Sequence, residues 1–278
     1  MSRYRRTARL ASQWFLGVAL VIVLVLFFGA IVGLQLTSRE NGERIHRRAV
    51  ASLTDLDTLL PQIERQLHED AGSGDSKAVP VRGFPIPLEV PRSEAGTLSG
   101  APLRQRLLDE AARKLYDDGM SPWIQADSGP GQGVQRFSAA GAIYHGLAIV
   151  RDSYHKAFLV AAVWLGLMVA GLTAALAMTL GSWCSRLVVL GSAVFAGALP
   201  SLAAAVAIRF AFKTAQSDAD SFADTMLDLG VDAMWIPIRT YLALTVLGMA
   251  VAGMGGFGVW LQSRGSGREA TYVDAAPL

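Results

Sequence analysis

The chain has 278 residues, 52% of them apolar, with 25 Lys and Arg against 23 Asp and Glu, a net charge of +2 and one cysteine. A charge so close to zero lacks the basic footprint of a nucleic-acid-binding protein. The lone Cys184 excludes an intramolecular disulfide and any cluster of cysteine metal ligands.

The first thirteen residues carry Arg3, Arg5, Arg6 and Arg9 and no acid, and an apolar run over residues 14–36 follows. A short positive N-terminus before such a run predicts an uncleaved signal anchor whose amino end stays in the cytoplasm. The run exceeds the 7–15 residues of a signal-peptide core, and no small-x-small cleavage site follows it. Three further apolar runs lie at residues 157–182, 187–212 and 241–261. A helix needs roughly 20 apolar residues to cross a bilayer at ~1.5 Å per residue, so each is long enough. None holds Lys, Asp, Glu or His, and Arg209 sits at the end of the third. Trp14, Trp183, Trp235 and Trp260 fall near run ends, where an amphipathic ring suits the headgroup zone.

The expected fold is therefore an all-α membrane protein of four transmembrane helices. A helix-rich extracytoplasmic domain, residues 37–156, is inserted between the first and second. An outward acidic loop spans 213–240, a short inward turn spans 181–186, and a cytoplasmic tail spans 262–278. Both termini then face the cytoplasm. Few lysines beside many Arg, Ala and Gly point to GC-rich coding, hence to a bacterial inner membrane.

Within the inserted domain, Leu53, Leu56, Leu60, Ile63 and Leu67 recur at helical spacing. Pro61 predicts a kink there or two abutting helices. In the stretch from Val79 to Arg92, Phe84, Ile86, Leu88 and Val90 alternate with Pro85, Pro87, Glu89 and Pro91. These prolines blank one backbone edge, which predicts an edge strand or a polyproline stretch lying on a helix. Residues 98–119 predict a helix started by Ser99 or Gly100 and stopped by Gly119, burying Leu103, Leu107, Ala111 and Leu115. Arg106–Glu110–Lys114 and Asp109–Arg113 have the spacing of exposed ion pairs. Residues 127–133 read as a flexible loop without the Gly-Lys-Ser/Thr ending of a phosphate-binding loop. Residues 137–155 read as a helix running into the second span, with Ile143, Leu147, Val150 and Tyr154 on one face.

Two groups of candidate functional residues stand out. Small residues repeat at four-residue spacing in the later spans: Ala162, Gly166, Ala170 and Ala174; Ala193, Gly197, Ser201 and Ala205; Gly248, Ala252 and Gly256. Such stripes let helix backbones approach, within a bundle or against another copy or partner. The first span, nearly all large and apolar over residues 18–28, reads as the lipid-facing one. Pro200 interrupts the third span without any charge beside it, which fits a packing kink. The second group is Asp220, Asp224, Asp228 and Asp232, one acidic face on a helix. A solvated face explains it most simply; contact with the basic stretch 39–48 or with a cation are the sharper alternatives. Carboxylates four residues apart are ~6 Å apart along a helix, too far for one calcium ion to collect all four.

His46, His68, His145 and His155 show no metal-ligand spacing, and no nucleophile elbow occurs. The sequence thus offers no catalytic constellation, no cofactor and no metal site. Buried charges of the kind that drive ion-coupled transport are missing from the spans. The expected role is a non-enzymatic envelope protein whose outward domain binds or senses a partner, with a transport component (a passive pore or permease-like subunit) as the alternative. Its partners are then the lipid bilayer and another envelope protein or a second copy. The order of helix, outward domain and three helices is similar to the layout of the four-helix permeases of cell-division ABC transporters. No residue motif carries that likeness, and the inward turn is short for engaging an ATPase.

Overall fold

The computed structural model describes residues 2–54, 56–72, 76–84, 86–119, 148–216 and 221–273. It is 86% helical, and among the described residues four helices are long and apolar enough to cross a membrane. In chain order the elements are α1 (Ser2–Leu36), α2 (Arg39–Leu53), α3 (Leu56–Gly72), β1 (Ala78–Val81), β2 (Leu88–Pro91), α4 (Arg92–Ala95) and α5 (Gly100–Asp118). Then come α6 (Asp152–Thr179), α7 (Trp183–Ala215), α8 (Ser221–Ala233) and α9 (Trp235–Val273). The chain divides into two compact units. One holds Met1–Val32, Phe158–Ala207 and Trp235–Leu278; the other holds Gly33–Ala157 and Ile208–Met234.

The first unit is the four-span bundle. Large apolar side chains stand exposed along it, among them Trp14, Ile22, Trp164, Leu167, Leu247, Met254 and Phe257. A water-soluble protein rarely tolerates apolar exposure on this scale, whereas lipid tails supply the matching medium. The first span is not the lipid-facing one. Leu20, Val23, Leu24, Phe28, Ala30 and Val32 are buried, and 33% of its most apolar window is enclosed against 6% for α6. Large residues on α1 fill space between small residues on its neighbours, so size marked the knob rather than the lipid face. Pro200 lies inside α7, which remains one helix from Trp183 to Ala215. Trp183, Trp235 and Trp260 each carry a guanidinium over the ring, from Arg186, Arg239 and Arg264. An aromatic ring topped by a cation suits the boundary between hydrocarbon and headgroup.

The second unit has an independent core. Val50 from α2, Leu56, Ile63 and Leu67 from α3, and Leu103, Leu107 and Leu115 from α5 are almost fully buried. The alternating apolar segment folds as half of a hairpin: β1 and β2 pair antiparallel, with Val79 opposite Val90 and Val81 opposite Leu88. Phe84, Ile86, Leu88 and Val90 face the core, while Pro87 and Glu89 are exposed. Leu227 of α8 joins the same core, so the loop between the third and fourth spans is part of this unit.

Several local expectations shift. The helix break falls at Thr54, not at Pro61, which α3 accommodates in its second turn. At the sixth residue the missing N–H forfeits one intrahelical bond, to Asp57, and the helix continues past it. Helix α5 starts after Ser99 and stops at Gly119, whose φ of +81° suits glycine. Its charges pair differently from the predicted spacing. Arg106 reaches Glu94 at 2.8 Å, Asp109 reaches Arg47 at 2.7 Å, and Arg113 pairs with Glu110. Lys114 donates to the Pro87 carbonyl at 2.7 Å. Partners on other elements, and an i,i+3 partner within α5 for Arg113, displaced the i,i+4 pairs because those pairs are individually weak. The predicted helix over residues 137–155 is broken at Val150 and Arg151, and α6 begins at Asp152. Residues 137–147, with Ile143, His145 and Leu147, lie outside the described residues, as do Trp123, the loop 127–133 and Asp220.

Candidate functional site

In the membrane unit, the closest approach is between α7 and α9. A Cβ on Gly248 would stand 2.6 Å from the Phe195 nitrogen and 3.0 Å from the Gly191 carbonyl oxygen. One on Gly255 would stand 2.7 Å from the Val188 nitrogen and 2.8 Å from the Cys184 carbonyl. Ala252 lies between them, with its backbone against Gly191. The seam is thus Gly248, Ala252 and Gly255 on α9 against Cys184, Val188, Gly191 and Phe195 on α7. Gly256 is exposed, with open space where a Cβ would stand. The seam runs at three-four spacing rather than strict four, following the 3.6-residue turn.

The remaining small residues divide. Gly197 is buried against Leu24 and Phe28 of α1, and Gly166 of α6 meets the Phe27 ring. Ser201 is half-buried and returns its hydroxyl to the Gly197 carbonyl, as a helical serine does in an apolar medium. Ala170 is exposed. Gly191 escaped the sequence reading because it falls outside its own helix's four-residue stripe; its signal is the small residue Ala252 facing it. These residues hold backbones close and offer no acid, base or nucleophile.

At the end of the bundle where α6 stops, two of its last carbonyls take side-chain donors from other segments. Gln13 Nε2 donates to Thr179 O at 3.1 Å, and Arg186 donates to Leu180 O at 3.2 Å. Carbonyls left over at a helix end are costly in hydrocarbon, so the Arg186 contact stabilises the hairpin between α6 and α7, and the Gln13 contact ties α1 to the end of α6. Beside them an apolar groove of about 530 Å³ runs among α1, α6 and α7.

In the second unit, the acidic face borders a polar cleft of about 620 Å³ between α2 and α8. Asp224, Asp228 and Asp232 line it, opposed by Arg48, with Gln216 and Thr225 at its sides. Arg48 forms an ion pair with Asp232, so the basic stretch does meet the acidic face at that point. All three carboxylates are exposed. Among the described residues no three His, Cys, Asp or Glu side chains gather as metal ligands.

Close to this cleft in sequence, α2 carries a buried histidine. His46 is 1% exposed, with Nε2 donating to the Val150 carbonyl at 2.7 Å and Nδ1 unpartnered. Burial pushes its pKa below the ordinary histidine value, and the bond to Val150 opposes that only in part. The ring is therefore neutral, with the proton on Nε2. One turn earlier, Gly42 admits the Tyr116 ring: a Cβ there would stand 2.6 Å from its Cδ2. The Tyr116 hydroxyl donates to the Thr37 carbonyl at 2.8 Å. His46, Gly42 and Tyr116 lock α2, α5 and the strand of chain before α6 into one block; they hold structure rather than perform chemistry.

No protein-family model matches the chain, no curated protein is detectably similar to it, and no solved structure matches its fold.

Proposed function

We propose that this is a multi-pass membrane anchor whose second unit binds or senses a partner outside the cytoplasm, and that it performs no chemistry of its own. The observation that carries the reading is the division of labour between the units. The bundle is packed through small residues and lacks Lys, Asp, Glu and His in its apolar runs. The second unit has its own core and a charged surface. Active transport and intramembrane catalysis normally require buried ionisable groups. The Arg-rich N-terminus supports cytoplasmic termini, an uncleaved anchor and an inner-membrane location with the second unit outward. Another envelope protein or a second copy fits the Arg48–Asp232 surface by charge.

The test uses the full chain in its own membrane, with photo-crosslinkers placed at exposed Glu89, Asp117 and Asp228. A discrete adduct lost on Arg48→Glu supports the reading. Labelling of Asp117→Cys by a membrane-impermeant thiol reagent only from the cytoplasmic side overturns the orientation. A second reading, a passive pore or permease-like subunit, is favoured only by Pro200 within α7. Solute flux in proteoliposomes of the purified chain would establish it in place of the first.

A further inference from the structure

Two histidines tie the chain around the start of α6 to the beginning of the second unit, and they answer a proton differently. The tie made by His155 is insensitive to one. The Thr37 hydroxyl has a single proton and gives it to the Gly33 carbonyl at 2.7 Å. His155 Nδ1, 3.3 Å from the same hydroxyl, is therefore the donor to its oxygen. An imidazolium keeps that N–H, so the bond survives protonation.

The other tie runs from His46 to Val150. Nε2 donates to the Val150 carbonyl while Nδ1 lies buried without a partner, so an added proton falls on a nitrogen with nothing to donate to. A buried charged donor in that state is costly, and turning the ring out to water relieves the cost by giving up the Val150 bond. Val150 and Arg151 interrupt the helical geometry between residue 149 and Asp152. Val150 also packs on Gly42, where a Cβ would stand 3.2 Å from its Cγ1. Ile149 beside it is exposed, and neither residue belongs to the apolar core of the unit. We propose that the His46–Val150 bond is an acid-released latch: protonating His46 frees residues 148–151 from α2 while the core of the second unit stays folded.

The charged and titratable groups that the packed elements bring to this junction are otherwise engaged. On α2, Arg39 pairs with Glu43, and Arg47 pairs with Asp109 of α5. On α5, the Tyr116 hydroxyl donates to Thr37, and Asp117 acts on that same tyrosine. On the stretch leading into α6, Arg151 donates to Ser153 and lies over the Tyr154 ring, while Asp152 pairs with Lys156. None of these charges bears on His46, whose pKa is lowered by burial and opposed only by the Val150 bond. The free ring takes up its proton near pH 6.5 and the latched ring at lower pH. The latch is therefore fully closed above about pH 6.5 and opens as pH falls below it.

The test is hydrogen–deuterium exchange of the full chain in lipid nanodiscs at about pH 7 and about pH 5, corrected for the intrinsic effect of pH on exchange. The reporter is the stretch 148–156, where the Arg151 amide donates to Ile149 and the Tyr154 and His155 amides donate to Arg151. Residues 103–115 of α5 are the reference. Acidification should speed reporter exchange roughly tenfold, because one proton shifts an equilibrium at most tenfold per pH unit, and should leave the reference unchanged. His46→Gln keeps a donor for Val150 but takes up no proton, so it should abolish the rise; His155→Gln should retain it. In the unsubstituted chain, ring-nitrogen NMR should show one histidine passing from its Nε2–H form to imidazolium over the same pH range. No rise in the unsubstituted chain, an equal rise in the reference, a rise that persists in His46→Gln, or no histidine titrating in step with the exchange would each overturn the inference.

Discussion

Replacing Gly248 with Ala adds one methyl group inside the close seam between α7 and α9. The new Cβ would lie 2.6 Å from the Phe195 nitrogen and 3.0 Å from both the Phe195 Cα and the Gly191 carbonyl oxygen. All three are backbone atoms, which cannot swing aside as a side chain can. Optimal carbon separations are about 3.5–4.0 Å, so α7 and α9 must part by about 1 Å. A gap of that size forfeits up to about half of each pair's ~0.1–0.2 kcal/mol. Over the roughly 50 atom pairs that one well-packed side chain makes, the loss approaches about 3 kcal/mol, the upper part of the range for overpacked sites. The assay is equilibrium unfolding in mixed micelles on raising the fraction of denaturing detergent. Gly253→Ala, on the same helix with nothing within 4 Å of its Cβ, is the control and should change stability by less than about 0.5 kcal/mol. If Gly248→Ala unfolds at the same point as Gly253→Ala, the glycine seam does not hold the bundle together.

Two further outcomes concern the second unit. Gly42→Ala should destabilise it by about 1–3 kcal/mol through the collision with the Tyr116 ring, even though Ala outranks Gly in helix propensity by about 1 kcal/mol. Thermal unfolding would read the change, and no loss would mean the ring has room to move. The His46 ring, buried neutral with a depressed pKa, contributes stability that is fully present above the unfolded value of about 6.5. That contribution drains as pH falls from there toward the folded value, because the unfolded chain takes up the proton first. His46→Gln should flatten this acid limb, measured as midpoint against pH between about 7 and 5; an unchanged slope would assign the acid sensitivity elsewhere.

The spans were legible because hydrocarbon demands long uncharged runs, and four such runs became helices long and apolar enough to cross a membrane. Helix α5 was equally plain: Ser99, Gly119 and the Leu103–Leu107–Ala111–Leu115 row all act locally. The packing partners were not. Small residues on α7 and α9 announce close approach, yet whether Gly255 or Gly256 enters the seam depends on the rotation of a helix about its own axis, which one helix's pattern leaves open. Size misled for α1, whose Phe27 and Phe28 are knobs for Gly166 and Gly197 rather than lipid contacts. Leu227 joining a core built some hundred residues earlier, and Arg48 meeting Asp232, are long-range pairings that no local pattern encodes. His46 looked like one scattered histidine among four; only its burial beside the Val150 carbonyl distinguishes it.

Lipid is the medium around α1, α6, α7 and α9 in this account of the bundle, and its removal tests that directly. The full chain, purified in mild detergent and then stripped of it on a size-exclusion column, should aggregate into the void volume and stay monodisperse only when transferred to lipid nanodiscs. A sharp peak of unchanged size without detergent or lipid would show that the exposed Trp, Leu and Phe side chains of the bundle tolerate water, and would contradict the account.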